Sequence, residues 1–320
     1  MGRYILRRIL QAIPLLFFLS VAMYGLLQLL PGGPEATLFN PHLSAVGRAA
    51  LRARFGLDQP WPIQYLKWLG NALTGNFGTS FATNEDVSTI IARRFPPTLE
   101  LFGLALSLAL VLAIVLGVVS AIRQRSVTDY VLTTLSYFGI AMPVFLFGLF
   151  AQTIFGVQLR WLPVSGTATL GVPLSPIDAF VDHFEHLILP MSVLAITFIA
   201  GWSRYMRSSM IEVTKQDYMR TARAKGVAPT SLLIRHALRN AVIPLITVVA
   251  LDFGAVAGGA TITEGVFAWP GMGLLFIDSL DRRDYPVLLA MLIIGAVFVI
   301  GFNLIADILY AVMDPRIRYS

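Results

Sequence analysis

No cysteine occurs anywhere in the 320-residue sequence. A disulfide framework, a thiolate nucleophile and a thiolate metal site are therefore excluded. Charge is almost as scarce: Asp, Glu, Lys and Arg make up 13% of the chain, about half the share of an ordinary soluble domain. Lysine is reduced to Lys67, Lys215 and Lys225, and none of them follows a glycine. The phosphate-cradling loop, which needs Gly-Lys followed by Ser or Thr, cannot be built from these. What the chain has instead is apolar surface, with 56% hydrophobic residues. A soluble protein of that composition would expose patches it cannot solvate, so soluble-enzyme classes are excluded. The formal charge of +6 comes from Lys and Arg set between apolar runs. That is how a membrane protein distributes them, and it gives no ground for a nucleic-acid partner.

Six windows are long enough to cross a bilayer, for which a helix needs roughly 20 residues. They are Ile9–Leu30, Leu101–Ile122, Val131–Leu159, Leu187–Ser203, Ala241–Thr263 and Val287–Ala306. The runs are solid and do not alternate, which excludes barrel strands and predicts an all-α polytopic membrane protein. Pro143 is expected to kink the third span. The first span follows Arg3, Arg7 and Arg8. It is too long for a secretory h-region and has no small-residue cleavage site, so it reads as a retained helix. With the N-terminus inside, 15 of the Lys and Arg fall in inner segments and three in the two short outer loops. The other six lie in the first outer loop, Pro31–Thr98, whose 68 residues exceed the roughly 60 over which such counts orient a chain. Both termini are predicted to be cytoplasmic.

The chain therefore divides into a cytoplasmic N-terminus with helix 1 (1–30), an external region (31–98) and a core of five spans (99–320). In the external region Ser44–Phe55 reads as a short basic helix and Pro60–Leu73 as an interfacial one. Val87–Phe95 reads as a third short helix, ending at Pro96-Pro97. The region is either a lid lying on the membrane or a docking surface for an external partner.

The inner loop 204–243 predicts helix, tight turn, helix. Asp217 can cap a start, Gly226 suits the left-handed residue that ends a helix, and Pro229 suits the first turn of the next. A plain connector needs no glycine stop and proline restart between two helices. The stretch Arg220-Thr-Ala-Arg-Ala-Lys-Gly226, followed by Arg235-His-Ala-Leu-Arg-Asn-Ala-Val-Ile-Pro244, resembles the coupling motif of ATP-binding cassette importer permeases in its oligopeptide and dipeptide form. Leu30-Pro31-Gly32, Gly56-Leu57-Asp58-Gln59-Pro60, Trp161-Leu162-Pro163, Phe267-Ala268-Trp269-Pro270-Gly271, Arg283-Asp284-Tyr285-Pro286 and Asp314-Pro315-Arg316-Ile317-Arg318 agree, in family order. The resemblance implies a type I importer permease fold in a bacterial or archaeal plasma membrane. It implies a second homologous permease, one or two cytoplasmic ATPase subunits that use ATP and Mg, an external substrate-binding protein and a peptide substrate. No cofactor is expected on this chain itself. Arg220, Thr221, Ala222, Arg223, Ala224 and Gly226 would meet the ATPase. The general motif has Glu where Arg220 stands, so the charge offered there is reversed. Nickel, glutathione or another small solute is the alternative cargo.

Asp252 is the one ionisable residue deep within a predicted span, and such a residue is a functional candidate by default. It either lines the path, meeting a cationic group such as a peptide amino terminus, or pairs structurally with another helix. Ala250, Gly254 and Gly258 recur every four residues beside it, a spacing that lets helices approach closely. Asp307 is expected to pair with Arg316 or Arg318. Three other readings are weaker. Intramembrane proteolysis at Ser203 lacks an activating histidine in any span. A metal site at His183, Glu185 and His186, placed in an outer loop, does not match HExxH spacing. A secondary transporter or channel would need paired helix breaks in the two halves, and none is evident. Neither a catalytic residue nor a metal ligand is assigned.

Overall fold

The computed structural model describes residues 2–29, 46, 52 and 58–313. Apart from an isolated bridge between Thr79 and Asp86, the regular structure of the described residues is helical. The elements are α1 (Gly2–Gln28), α2 (Trp61–Leu73), α3 (Val87–Ile122), α4 (Val127–Ala141) and α5 (Val144–Gln158, whose second half is π-helical). They continue with α6 (Pro176–Thr214), α7 (Asp217–Ala224), α8 (Pro229–Gly258), α9 (Thr261–Phe267), α10 (Met272–Asp281) and α11 (Tyr285–Met313). Five helices, α1, α3, α6, α8 and α11, are long and apolar enough to cross a membrane unbroken, and α4 with α5 makes a sixth candidate as a bent pair. The all-α polytopic expectation holds, and six spans are reached by counting that pair as one.

Four of the spans differ from their windows in ways that have a physical reason. Helix α3 starts 14 residues early, at Val87, after the N-cap Asp86, whose carboxylate accepts from the Thr89 amide at 3.1 Å. The expected short helix Val87–Phe95 is its first part, and it runs through Pro96 and Pro97. Proline normally stops a helix. Here burial of Val87, Ile90 and Ile91 against Met272, Val287 and Met291 outweighs that preference. The third span is broken, not kinked: α4 and α5 meet at 103°. Met142 is extended, as the residue before a proline prefers, and Pro143 opens α5. Helix α6 begins at Ser175, whose hydroxyl accepts the Asp178 amide, with Pro176 in the first turn. Its 39 residues reach about 58 Å at ~1.5 Å per residue, so both ends project beyond the hydrocarbon. His183, Glu185 and His186 therefore lie on this helix, not in the loop expected for them. Helix α8 starts at Pro229, ends as a 3₁₀ turn over Gly254–Gly258, and stops at Gly259 with φ +74°. The restart at Pro229 is thus the first turn of the fifth span. The basic helix expected at Ser44–Phe55 lies outside the described residues, apart from Val46 and Arg52.

The core sits between α3, α6 and α8, around Leu106, Trp202, Met206 and Leu245. Gly117 lets α3 and α6 touch, since a Cβ there would stand 2.6 Å from the Met206 Cβ. Helix α1 packs on α2 and α11 through Tyr24, Tyr65 and Leu289. Asp307 pairs with Arg8 at 3.1 Å. The expected partners Arg316 and Arg318 lie outside the described residues. The Asp307–Arg8 pair sets the start of α1 and the end of α11 at one end of the bundle.

Candidate functional site

Helix α7 hangs from the same end as the α6 terminus. Gln216 is its N-cap residue, and Asp217 occupies the first turn, where a carboxylate favours the helix dipole. Met219 is buried and joins the core. Ala222 is half-buried beside it and packs on that core. Arg220, Thr221, Arg223, Ala224 and Gly226 are exposed. Gly226 has φ +78°, the left-handed stop that a Cβ disfavours. Of the residues expected at the partner surface, five are exposed, Arg220 among them with an ion pair to Asp217 at 3.5 Å, and Ala222 turns inward. Small Thr221 and Ala224 with basic neighbours leave a low ridge that another backbone can approach.

The α7 end is clamped by charge. Asp129, at the start of α4, is buried. Arg207 on α6 donates to both its oxygens, Nε to Oδ1 at 2.7 Å and Nη2 to Oδ2 at 2.8 Å. Ser120 on α3 and the Arg125 amide donate to the same carboxylate. A two-pronged Arg–carboxylate pair is the strong form of this interaction. It joins the helix that carries α7 to α3 and α4. The sequence offered no spacing rule for it, because the partners are 78 residues apart.

Asp252 lies half-buried on α8, two residues before the 3₁₀ turn. The Trp202 indole of α6 donates to its Oδ2 at 2.7 Å. The carboxylate thus has a neutral partner within the chain. Gly254 packs against α11, where a Cβ would meet Val299 Cα at 3.2 Å, and Ala250 is buried. Gly258 is exposed, with open space around it. The tight position at this end is Gly259, where a Cβ would collide with the Gly273 backbone.

At the opposite end lies a knot that the sequence reading missed. Glu264 on α9 is fully buried. Its Oε1 accepts from the Thr98 hydroxyl (2.8 Å) and the Ala260 amide (3.2 Å). Its Oε2 accepts from the Gly273 (2.7 Å) and Leu274 (3.1 Å) amides in the first turn of α10, where an anion is favoured. Burial pushes the Glu264 carboxyl above the ordinary glutamate value, and these four donors pull against that rise. Thr98 also accepts from the Met272 amide, and Trp269 donates to the Pro97 carbonyl. Side chains at Gly271 or Gly273 would overlap this knot. An acid set among Gly259, Gly265, Gly271 and Gly273 was the available signal. Nearby, Asp284 accepts from Ser80, Phe81 and Ala82, tying the turn before α3 to the start of α11.

His183 and His186 are used within the fold. His183 bonds to Glu100 and to the Thr167 carbonyl, both at 2.9 Å, and His186 to the Asp182 carbonyl. No group of three His, Asp or Glu placed to hold a metal occurs among the described residues. Ser203 is buried and bonds to Ser136 at 3.1 Å.

The chain is similar to known proteins along its whole length. Residues 113–319 match the family model "binding-protein-dependent transport system inner membrane component", and residues 1–102 match its N-terminal companion. The oligopeptide transport system permease protein AppB of Bacillus subtilis is 44% identical over 320 residues, all of both chains. A putative peptide permease protein of Brucella ovis is 44% identical over 324 residues, and the glutathione transport system permease protein GsiC of Salmonella typhimurium 39% over 320, again with full coverage of both chains.

Proposed function

The chain belongs to the binding-protein-dependent transport system inner membrane component family, a multi-pass membrane permease subunit and not an enzyme, and from that premise we propose that it imports di- and oligopeptides. It forms half of the translocation path, beside a second, homologous permease. One or two cytoplasmic ATPase subunits supply the work from ATP and Mg, and an external binding protein delivers the peptide. The observation that carries this reading is the end-to-end 44% identity to permeases named for oligopeptides and peptides. A second cargo, glutathione, is favoured by the 39% full-length identity to GsiC, and it is itself a small peptide.

Helix α7 is the coupling helix in this reading. Thr221, Ala224 and Gly226 enter a groove of the ATPase, while Arg220 and Arg223 offer positive charge at its rim. Closure of the ATPases pushes α7. Buried Met219 and the Arg207–Asp129 clamp carry that displacement into α6, α3 and α4. Asp252 faces the path and meets cationic groups of the cargo. Basic α7 and the Arg8–Asp307 end are cytoplasmic.

The test is a pull-down of the tagged chain from its native membrane in mild detergent, alongside Ala224→Trp. The wild type is expected to bring an ATPase, a second permease and the binding protein. The tryptophan variant should keep the second permease and lose most of the ATPase. Repeated recovery of the chain alone would refute the reading.

A further inference from the structure

A cavity of about 680 Å³ opens between α3, α4 and α6 at the α7 end. Arg204, Tyr205 and Ser208 on α6 and Ser136 and Tyr137 on α4 line it. The two arginines at its wall differ. Arg207 is neutralised by Asp129. Arg204 is exposed, stacks its guanidinium over the Tyr137 ring at 4.5 Å, and makes no ion pair among the described residues. The stack fixes its direction and leaves its N–H donors free. Exposed Ser208 adds a hydroxyl, while that of half-buried Ser136 donates to the Leu132 carbonyl at 2.9 Å. The site thus offers one uncompensated cation with neutral donors, the equipment for a monoanion.

The depth and the surroundings narrow the ligand. The uncharged stretch of α6 runs from Leu187 to Ser203, and Arg204 is the first charge beyond it. That places the guanidinium where hydrocarbon gives way to headgroups. Beside these polar groups the cavity wall is apolar, with Leu116 on α3 and Leu132 and Ile140 on α4. A polar anionic head beside an apolar wall at that depth matches an amphiphile, and basic pockets between helices on the cytoplasmic side are where anionic lipid heads bind.

The geometry points to a specific site for an anionic phospholipid of the inner leaflet. Its phosphate sits on Arg204 and Ser208, and its acyl chains lie along Leu116 and Ile140. This rests on the transport reading only for which end is cytoplasmic.

The test uses the assembled complex, delipidated and then returned to phosphatidylglycerol or phosphatidylcholine, with retained lipid counted by native mass spectrometry. The wild type should keep phosphatidylglycerol several-fold over phosphatidylcholine. Arg204→Gln should remove most of that preference, and Arg204→Lys should keep part of it. Arg282→Gln, exposed at the opposite end, should change nothing. Equal retention by wild type and Arg204→Gln would overturn the proposal. So would loss of the second permease from the Arg204→Gln complex, which would make the cavity a subunit interface. A third overturning result comes from uptake in vesicles without anionic lipid. It is a change in Arg204→Gln preference between peptides with free and amidated carboxyl ends, which would assign the arginine to cargo. The lipid count is read by mass whether or not the complex moves peptide, so it stands apart from the transport reading.

Discussion

Glutamate 264 gives the most quantitative handle on this fold. Its two oxygens accept four donors, three of them backbone amides, in a fully buried site. Glutamine keeps the shape but only one accepting oxygen. Its least costly orientation turns the oxygen to Gly273 and Leu274 and the NH₂ to Thr98, whose oxygen can receive it. The Ala260 amide is then left unpaired, at about 1–3 kcal/mol. Loss of the anion from the first turn of α10 adds roughly 0.3–1 kcal/mol. Alanine strands all four donors and leaves a void, so its cost is at least about 4 kcal/mol. At roughly 2–4 °C per kcal/mol, Glu264→Gln should lower the unfolding midpoint of the purified complex by some 3 °C or more, and Glu264→Ala by at least twice as much. Intrinsic tryptophan fluorescence during heating is a suitable assay, because Trp269 forms part of the knot. A Glu264→Ala midpoint within about 1 °C of wild type, or a glutamine variant as damaged as the alanine one, would refute the reasoning.

The same residue predicts a pH trend. Its folded-state pKa lies above the ordinary glutamate value, so its contribution is fully present below that value and is lost as pH rises through the folded pKa. The midpoint of the wild type relative to Glu264→Gln should therefore rise between pH 7.5 and 5, and a flat difference would contradict the shift. Arg207→Ala leaves the buried Asp129 carboxylate without its cation and should cost about 3–5 kcal/mol. Thermal melts of Arg207→Ala, Asp129→Ala and the double variant check this, with the double expected to be less damaged than the sum of the singles. Asp252→Asn preserves an acceptor for Trp202 and removes the charge. Competition uptake should show weaker import of cationic peptides than of neutral ones, and equal effects on both would remove Asp252 from the path.

Several features were legible without coordinates because they depend on local chemistry. The bilayer requires long uncharged helices, so the spans could be read from composition alone. The left-handed demand at Gly226 and the fixed φ of Pro229 marked the turn after α7, since both follow from covalent geometry. The order of family-like segments from Leu30 to Arg318 placed the chain in its class. Other features needed the tertiary structure, because partners distant in sequence decide them. Pro96 and Pro97 signal a stop, yet packing against α10 and α11 carries α3 through them. Pro143 announces a kink, but the full 103° bend depends on where α5 docks, with Val144 and Phe147 against Leu189, Val193 and Phe267. Asp129 finds Arg207 across 78 positions, Glu264 finds Thr98 across 166, and Asp307 finds Arg8 at the opposite end of the chain. Nothing in the spacing of such residues names the partner. A carboxylate removed from water must be met by whichever donors the folded backbone brings within hydrogen-bond distance.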